Sequence, residues 1–318
     1  MSRENVELVR RLVEPWTRGD FSAWLRSFGS DVVMSAYTPG QGVVTTYGRD
    51  EVFEYVSEFA SQWDPYRGVL DQQVIENAEA VVNVAGASFV KWPLTESYKR
   101  TFIASRVETT RVLAEAVART ERKPVLLAQN GTSYYGDRGD EILTEDSPEG
   151  SDGAFLNEIT KQWQAATEPA GDAGARVCVM RSAPVLHKQG SAFKPILLIF
   201  RTGLGGPAGD GKQYLPTISA TDWVRAATFL ATNGTSSGAY NMCGPNPTTN
   251  EEFTRELGRI LHRPVKLRVP QLPMRKLFPE LSPELFSSVR VEPAKLLAEG
   301  FAFEHPTLNA RLAAALTD

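Results

Sequence analysis

The chain has 318 residues, of which 42% are hydrophobic and 23% are charged, and its formal net charge is −4. This length and composition are typical of a globular protein with two domains. The small negative charge argues against nucleic-acid binding, which requires a concentrated basic surface. The longest uninterrupted apolar run, residues 195–200, is far shorter than the ~20 residues of a membrane-spanning helix. We therefore expect no nucleic-acid partner and no membrane insertion.

The N-terminal sequence MSRENVELVRR carries charges where an export signal would have its apolar core, so we expect a cytoplasmic protein. Cys178 and Cys243 lie in apolar, strand-like segments and are expected to be buried free thiols. The histidines are scattered and lack the spacing of a zinc motif, which predicts no metal site.

Residues 1–66 show an α+β pattern. Apolar and β-branched periodicity predicts helices over 4–16 and 21–28, strands over 31–37 and 43–47, and a helix from residue 52 to about Trp63. The segment between the two strands, Thr-Pro-Gly-Gln-Gly, is typical of a turn.

From residue 69 onward, strands alternate with helices. The pattern predicts strands over 81–85, 124–128 and 176–181, with helices over 95–119 and 156–167 between them. This alternation indicates βαβ units and a parallel sheet. A glycine-rich connection over 202–212 leads to a helix near 222–232, and Asn250 is expected to cap a helix that buries Phe253 and Leu257.

A dinucleotide-binding fold normally holds pyrophosphate at a G-x-G-x-x-G loop between its first strand and first helix. The candidate upstream of residue 75 is Gly40-Gln41-Gly42-Val43-Val44-Thr45, which ends in Thr and continues into a β-prone segment. A hairpin turn is the better interpretation, because a helix must follow a phosphate loop. The later segment 203–209 follows a predicted helix and not a strand. The fingerprint is therefore absent.

Several segments between residues 79 and 318 resemble a known family: EAVVNVAGASF, SRVETTRVLAEAV, YYGDRGDEILTEDSP, GLGGPAGDGKQ and HPTLNARL. They resemble the atypical short-chain dehydrogenase/reductase family of NAD-dependent epimerases, extended-type proteins with a small C-terminal domain. The resemblance implies a Rossmann fold, NADP or NAD as cofactor, and a small-molecule substrate.

Residues 1–73 resemble a different fold. MSRENVELVRRLVEPWTRGDFSAWLRSF and GRDEVFEYVSEFASQWDPYRG are similar to the start of an NTF2-like (SnoaL-like) cone, which encloses an apolar pocket. The predicted fold class is therefore α/β: a Rossmann-like parallel sheet lacking its first phosphate-binding βαβ unit. We predict an NTF2-like α+β segment over 1–73, a Rossmann-like core over 74–245 and a C-terminal lobe over 246–318.

Candidate cofactor-binding residues lie at the ends of two predicted strands. Asn83, Ala85 and Gly86 end one strand at its carboxyl edge, where open α/β sheets bind ligands. Small residues there let a cofactor approach the backbone, and a tight strand–helix turn explains them equally well. Arg181 and Ser182 follow the third strand, where the resemblance places the substrate and nicotinamide pocket. Arg181 can bind a phosphate or carboxylate, or form a surface salt bridge.

Short-chain dehydrogenases use a Ser–Tyr–Lys catalytic set, with Tyr and Lys four residues apart on one helix, and the family that this chain resembles often lacks the Tyr–Lys pair. The corresponding helix has Leu156 and Thr160 at those positions. Lys161 is one residue away, which turns it by about 100° around the helix. The usual mechanism therefore does not carry over to this chain.

The remaining catalytic candidates are Ser133 and Tyr135, in the segment AQNGTSYYGDRGD. Tyr135 can supply an acid, although packing of the loop against the sheet explains the aromatic pair as well. Two further positions depart from the family: Arg106 stands where many relatives have a structural Asn, and Ser219 where they more often have a His.

The residues support two functional hypotheses. The first is an NAD(P)-dependent oxidoreductase or epimerase acting on an unknown small molecule, with cofactor binding weakened or lost. The second is a non-redox protein that uses an apolar pocket: a small-molecule binder, a SnoaL-like cyclase or hydrolase, or a non-catalytic pseudoenzyme. Both predict a small-molecule ligand, and both leave a homodimer open.

Overall fold

The chain forms two compact units, Met1–Val69 and Leu70–Asp318. The computed structural model describes most of the second unit, namely residues 72–88, 94–190, 192–277, 280 and 282–317. In the first unit it describes the backbone of four strands. The domain boundaries predicted after residues 73 and 245 stay predictions.

The first unit contains two antiparallel strand pairs, β1 (Val33–Thr38) with β2 (Gly42–Tyr47) and β3 (Trp63–Asp64) with β4 (Arg67–Gly68). The two strands predicted around the Thr-Pro-Gly-Gln-Gly segment are thus confirmed. Gly42 begins a strand, whereas a phosphate loop requires a helix there. Trp63, expected near the end of a helix, lies in β3. The helices predicted within 4–28 and 52–62 lie outside the described residues, and the NTF2-like fold stays a prediction.

The second unit alternates strands with helices. Its strands are β5 (Ala80–Asn83), β6 (Val125–Gly131), β7 (Ile142–Leu143), β8 (Val177–Ser182), β9 (Val185–Leu186), β10 (Ile218–Ser219), β11 (Gly238–Met242) and β12 (Arg290–Val291). Its helices are α1 (Gln72–Asn77), α2 (Glu96–Arg119), α3 (Phe155–Ala165), α4 (Glu168–Asp172), α5 (Phe193–Arg201), α6 (Ala220–Thr232), α7 (Asn250–Leu261), α8 (Gln271–Leu277), α9 (Ser282–Phe286), α10 (Ala294–Ala298) and α11 (Leu308–Thr317).

Four strands form one parallel sheet in the order β11-β8-β6-β5. A parallel neighbour can be reached only through a crossover, and helices lie between each pair of strands that follow one another in this sheet. The predicted alternation and the Rossmann-like parallel sheet are therefore confirmed. The carboxyl ends of the four strands, at Asn83, Gly131, Ser182 and Met242, share one edge of the sheet.

Both faces of the sheet carry buried clusters, as expected of parallel strands, whereas Val82 of the edge strand β5 is exposed. Leu127 packs in a cluster with residues of α6 on one face, and Leu126 and Ala128 pack in a cluster with residues of α2 and α4 on the other. Cys178 and Cys243 are buried and unbridged. The prediction of two buried free thiols is confirmed.

Helix α7 begins with a capping box. Thr249 Oγ1 accepts a hydrogen bond from the Glu252 N–H at 3.3 Å, and Glu252 Oε2 accepts one from the Thr249 N–H at 2.7 Å. The N-cap is therefore Thr249, and the prediction that Asn250 caps the helix is wrong by one residue. Asn250 is the first helical residue, and its Oδ1 accepts the Ala208 N–H at 2.8 Å. Asn250 thus ties the helix to the glycine-rich connection.

Thr249→Ala is expected to lower the free energy of unfolding by about 1 kcal/mol, because the Glu252 N–H loses its acceptor at the start of the helix. Urea unfolding at neutral pH measures the change. Thr249→Ser keeps the hydroxyl and is the matched control. Equal losses in the two variants would contradict the capping role.

The glycine-rich connection after α5 packs against the C-terminal lobe. Gly206 lies so close to the Leu267 carbonyl that a Cβ would overlap it. The Val269 N–H donates to the Pro207 carbonyl, and the Gly209 N–H donates to the Val269 carbonyl, both at 2.9 Å. These glycines allow two backbones to approach closely. The segment is a packed turn, consistent with the expectation that it is not a phosphate loop.

Candidate functional site

A cavity of about 660 Å³ opens at the carboxyl ends of β5, β6 and β8. Small-molecule sites usually have volumes of about 300–1,000 Å³. The cavity walls come from these strand ends, from α2 and α3, from the start of α6 and from α9. The cavity therefore lies where an open parallel sheet is expected to bind its ligand.

Helix α3 supplies a largely apolar wall. Leu156, Ile159, Thr160 and Trp163 all line the cavity. The Thr160 hydroxyl donates to carbonyls of its own helix, at 3.0 and 2.8 Å, so it is held within the helix. Lys161 pairs with Glu158 at 2.8 Å. Helix α3 therefore has no side chain suited to proton transfer at the two positions that are Tyr and Lys in short-chain dehydrogenases.

The end of β5 forms a tight turn around an asparagine. Asn83 Nδ2 donates to Thr110 Oγ1 at 2.8 Å, and Asn83 Oδ1 accepts the Ala85 N–H at 3.1 Å. Asn83 is buried and stays outside the cavity wall, whereas Ala85 and Gly86 line it. Of these three predicted cofactor-binding residues, two reach the cavity and the third shapes the turn that presents them.

Arg106 of α2 brings a positive charge to the cavity wall. Its guanidinium lies 3.6 Å from the centre of the Phe102 ring, and Nη2 donates to the Ala87 carbonyl at 2.9 Å. A Cβ at Gly86 would lie 3.0 Å from the Arg106 Cζ, so glycine makes room for the guanidinium. Burial lowers the pKa of Arg106 to about 10, and no carboxylate among the described residues forms an ion pair with it. The guanidinium stays charged at neutral pH, and an anionic ligand group would neutralise it.

The two predicted cofactor-binding residues at the end of β8 lie in different surroundings. Ser182 lines the cavity, and its Oγ accepts the indole N–H of Trp223 at 2.7 Å. Arg181 is buried behind the cavity wall. Its Nη1 donates to Tyr135 Oη at 2.8 Å, and its Nη2 donates to Gln164 Oε1 at 2.9 Å. Arg181 therefore holds internal elements together, at a place that a ligand in the cavity does not reach.

Tyr135 belongs to the same internal network. Its hydroxyl donates to Asn241 Oδ1 at 2.7 Å while accepting the Arg181 hydrogen bond. Burial raises the pKa of Tyr135 to about 12, which makes it a poor proton donor at neutral pH. Tyr135 lies outside the cavity wall, whereas Ser133 lines it. The structure thus separates the two predicted catalytic residues and leaves Ser133 as the one with access to a ligand.

Ser133 meets a carboxylate that the sequence pattern did not indicate. Ser133 Oγ lies 3.1 Å from Oε1 and 3.2 Å from Oε2 of Glu284, a residue of α9. The Glu284 side chain is exposed and lines the cavity, and the protein packed around its carboxyl partly desolvates it. This desolvation is the main reason that the pKa of Glu284 is raised to about 7. The negative charge of Asp152 also raises this pKa, whereas the hydrogen bond from Ser133 lowers it. Such a carboxyl can both accept and release a proton near neutral pH.

A smaller cavity of about 50 Å³ adjoins the first, and both are lined by Ser133 and Glu284. Asn157 lines the smaller cavity and fixes the Ser133 turn, since its Nδ2 donates to the Ser133 and Tyr134 carbonyls, each at 2.9 Å. Asn157 Oδ1 is buried and has no hydrogen-bond partner in the described part of the chain.

The Glu284 carboxyl is expected to make stability depend on pH. Its pKa in the folded chain is about 7, above the ordinary 4.5. The folded chain therefore binds this proton more tightly than the unfolded chain does. The protonated carboxyl contributes its full stability below pH 4.5, and this contribution is lost as the pH rises through 7. We expect the free energy of unfolding of the wild type to fall, relative to Glu284→Gln, between pH 5 and pH 8. Urea unfolding of both proteins at four pH values measures this; a constant difference would contradict the raised pKa.

Another cluster brings together Ser219, Asp222 and His305. Ser219 Oγ lies 3.0 Å from His305 Nδ1 and 3.3 Å from Asp222 Oδ2, and it caps α6 by accepting the Asp222 N–H at 3.1 Å. Ser219 and Asp222 are fully buried. The cluster therefore fixes the start of α6 and has no route to a substrate.

The described residues contain neither a metal-binding cluster nor a membrane-spanning helix. No group of three or more His, Cys, Asp or Glu side chains in the described ranges is placed to hold a metal ion. No helix within those ranges is both long and apolar enough to cross a membrane.

Comparison with known proteins identifies the family. Epimerase family protein MT2273 of Mycobacterium tuberculosis is 34% identical over 256 residues, covering 80% of this chain and 84% of that protein. Epimerase family protein SDR39U1 of Mus musculus is 31% identical over 294 residues, covering 91% of this chain and 92% of that protein. This chain belongs to the epimerase family. The resemblance seen in residues 79–318 is confirmed, and the mouse alignment also extends into residues 1–73.

Solved structures agree with this assignment to the epimerase family. A crystal structure of human epimerase family protein SDR39U1 (isoform 2) with NADPH superposes with a TM-score of 0.70 at 30% identity, covering 77% of this chain and 86% of that chain. The Bordetella bronchiseptica enzyme WbmG, in complex with NAD and UDP, has a TM-score of 0.59 at 16% identity, covering 78% of this chain and 75% of that chain, and shares the fold. A family model described as a domain of unknown function, DUF1731, matches residues 269–315. Glu284 lies within this matched segment.

Proposed function

We propose that this epimerase-family chain is an NAD(P)-dependent oxidoreductase or epimerase that acts on a small molecule bound in the 660 Å³ cavity. The observation that carries the proposal is the position of that cavity, at the carboxyl ends of parallel strands. Support comes from the human relative, which is 30% identical and has a structure with NADPH. The proposed substrate bears a hydroxyl or carbonyl group, the groups that gain or lose a hydride in such reactions.

The residues of the cavity wall fit a phosphate-bearing cofactor. Arg106 is a charged guanidinium without a carboxylate partner among the described residues, and Ala85 and Gly86 leave the backbone beside it accessible. These three residues and Ser182 would hold the cofactor. When bound, the nicotinamide supplies or accepts a hydride.

The substrate would lie against apolar walls with its reacting oxygen near Ser133. Trp163 and Trp223 line the cavity and provide large flat surfaces that exclude water. The Trp163 indole N–H donates to Thr110 Oγ1 at 2.8 Å, so this ring is held in place. Ser133 is a hydroxyl in the same wall, and it would orient the substrate oxygen by a hydrogen bond.

Thermal unfolding with and without NADPH or NADH tests the proposal. A cofactor present at 100 times its Kd stabilises the folded chain by about 2.7 kcal/mol, a shift of several degrees in Tm. We expect such a shift with at least one of the two cofactors. Unchanged Tm values at millimolar concentrations of both would overturn the proposal.

A second candidate function is a non-redox small-molecule binder. The observation that favours it is the α3 wall, where Leu156 and Thr160 occupy the positions that are Tyr and Lys in short-chain dehydrogenases. An apolar wall binds ligands by burial and needs no proton transfer. This candidate predicts that small apolar molecules raise the Tm while NADPH and NADH leave it unchanged.

A further inference from the structure

The junction of the two cavities joins distant parts of the chain. Ser133 lies in the short 3₁₀ turn, Thr132–Tyr135, that follows β6, and Glu284 lies in the C-terminal segment matched by DUF1731. The Ser133 hydroxyl is nearly equidistant from both carboxylate oxygens, at 3.1 and 3.2 Å. The C-terminal lobe thus places a carboxylate at the carboxyl end of an inner strand of the sheet.

Both side chains are accessible to a ligand. Ser133 and Glu284 line the large cavity, and both also line the small one. A hydroxyl-bearing ligand at the junction can therefore meet a serine and a carboxyl.

Few charges among the described residues oppose proton binding at Glu284. The ionisable side chains that line the cavities with it are Arg106, Asp152, His187 and Tyr214. Desolvation is the main cause of its raised pKa, the Ser133 hydrogen bond opposes it, and the charge of Asp152 adds to it. The carboxyl is therefore poised between its two protonation states near neutral pH.

We propose that Ser133 and Glu284 are the proton-transfer pair for a substrate hydroxyl or carbonyl group bound at this junction. This inference rests on the proposed function. In the oxidative direction, the substrate hydroxyl gives its proton to Ser133 Oγ as the Ser133 proton passes to the Glu284 carboxylate. The substrate C–H bond breaks, its hydride is accepted by the oxidised nicotinamide cofactor, and a carbonyl forms. Reduction runs the same transfers in reverse.

The pair supplies what α3 does not. Leu156 has no proton to transfer, and the Thr160 hydroxyl is bonded to carbonyls of its own helix. A carboxyl with a pKa near the operating pH is the kind of group that general acid–base catalysis favours. The C-terminal lobe would thus complete the site that the Rossmann-like core leaves without an acid.

A titration of Glu284 tests this pair directly. In protein labelled with carbon-13 at the glutamate carboxyl carbon, we expect one resonance to titrate near pH 7 and to disappear in Glu284→Gln. In Ser133→Ala the midpoint should move to higher pH, because the hydrogen bond that lowers the pKa is lost. Glu256 is the internal control, since its bonds to Arg259 and Asn309 lower its pKa to about 2. A Glu284 midpoint near 4.5 would overturn the proposal.

Chemical labelling tests whether the protonated carboxyl is reached from the cavity. Dicyclohexylcarbodiimide reacts with protonated carboxyl groups, so at pH 7 we expect mass spectrometry to find Glu284 labelled and Glu256 unlabelled. NADPH should reduce the labelling of Glu284 if the cofactor shares its cavity. Labelling of Glu284 no faster than of Glu256 would overturn the pair. Glu284 could titrate and be labelled as expected while NADPH neither protects it nor raises the Tm. That result would contradict the proposed redox function but would still support Glu284 as a proton donor.

Discussion

Arg311→Ala is expected to lower the free energy of unfolding by about 3–5 kcal/mol. Arg311 is almost fully buried, and its guanidinium donates to Thr217 Oγ1 at 3.2 Å, to the Pro306 carbonyl at 2.7 Å and to the Asn246 carbonyl at 3.3 Å. Truncation removes all three hydrogen bonds, and a buried acceptor left unsatisfied costs about 1–3 kcal/mol. The Pro306 carbonyl keeps a second donor, Asn246 Nδ2 at 3.0 Å. Relief of the buried charge offsets part of the loss.

Urea unfolding followed by circular dichroism measures the Arg311 effect. Arg311→Met keeps the apolar stem without the donors, so its loss should fall between those of the wild type and the Ala variant. Arg259→Ala is the matched control, because it removes an exposed guanidinium paired with Glu256 and should change stability by no more than about 1 kcal/mol. If Arg311→Ala and Arg259→Ala unfold at the same urea concentration, the internal hydrogen bonds of Arg311 contribute nothing measurable.

Arg311 also shows how the last helix of the chain is attached to the rest of the second unit. Thr217 precedes β10, whereas Arg311 lies in α11, at the end of the chain. A Cβ at Gly244, just after β11, would overlap the Arg311 guanidinium, so glycine is required for this packing. Buried polar contacts therefore fix α11 against the segments around β10 and β11.

The sheet could be predicted from the sequence because its signal is local. Apolar runs such as residues 124–128 alternate with long amphipathic segments, and that alternation alone requires parallel strands. The N-cap of α7 was misplaced by one residue because Thr249 and Asn250 are both good caps. Only the structure shows that the Asn250 side chain bonds instead to the Ala208 N–H.

The site was harder to predict because it depends on side-chain direction and on distant contacts. Arg181 and Ser182 are neighbours in β8, and neighbours in a strand point to opposite faces, so Ser182 reaches the cavity and Arg181 does not. Glu284 lies 151 residues from Ser133, in a short helix without a recognisable motif. The absence of Tyr and Lys from α3 indicates only that the usual short-chain dehydrogenase mechanism does not carry over, and it does not point to Glu284.

Arg106→Ala is expected to weaken NADPH binding by about 10- to 100-fold. A charge-assisted hydrogen bond contributes about 1.5–3 kcal/mol, which corresponds to that range of affinity. The guanidinium stacks on Phe102 and lies over Gly86, at the carboxyl end of β5. It has no carboxylate partner among the described residues, so a cofactor phosphate would supply its missing counter-charge. Isothermal titration calorimetry of both proteins with NADPH measures the loss.

Two variants of the same helix separate charge from structure. Arg106→Lys keeps the positive charge but loses the planar stacking and paired donors, so its affinity should be intermediate. Arg111→Ala removes an exposed arginine of α2 and should bind NADPH as the wild type does. Urea unfolding of Arg106→Ala shows whether loss of the bond to the Ala87 carbonyl has disturbed the fold. Wild-type affinity in a folded Arg106→Ala protein would exclude this guanidinium as a phosphate ligand and place the cofactor phosphates elsewhere.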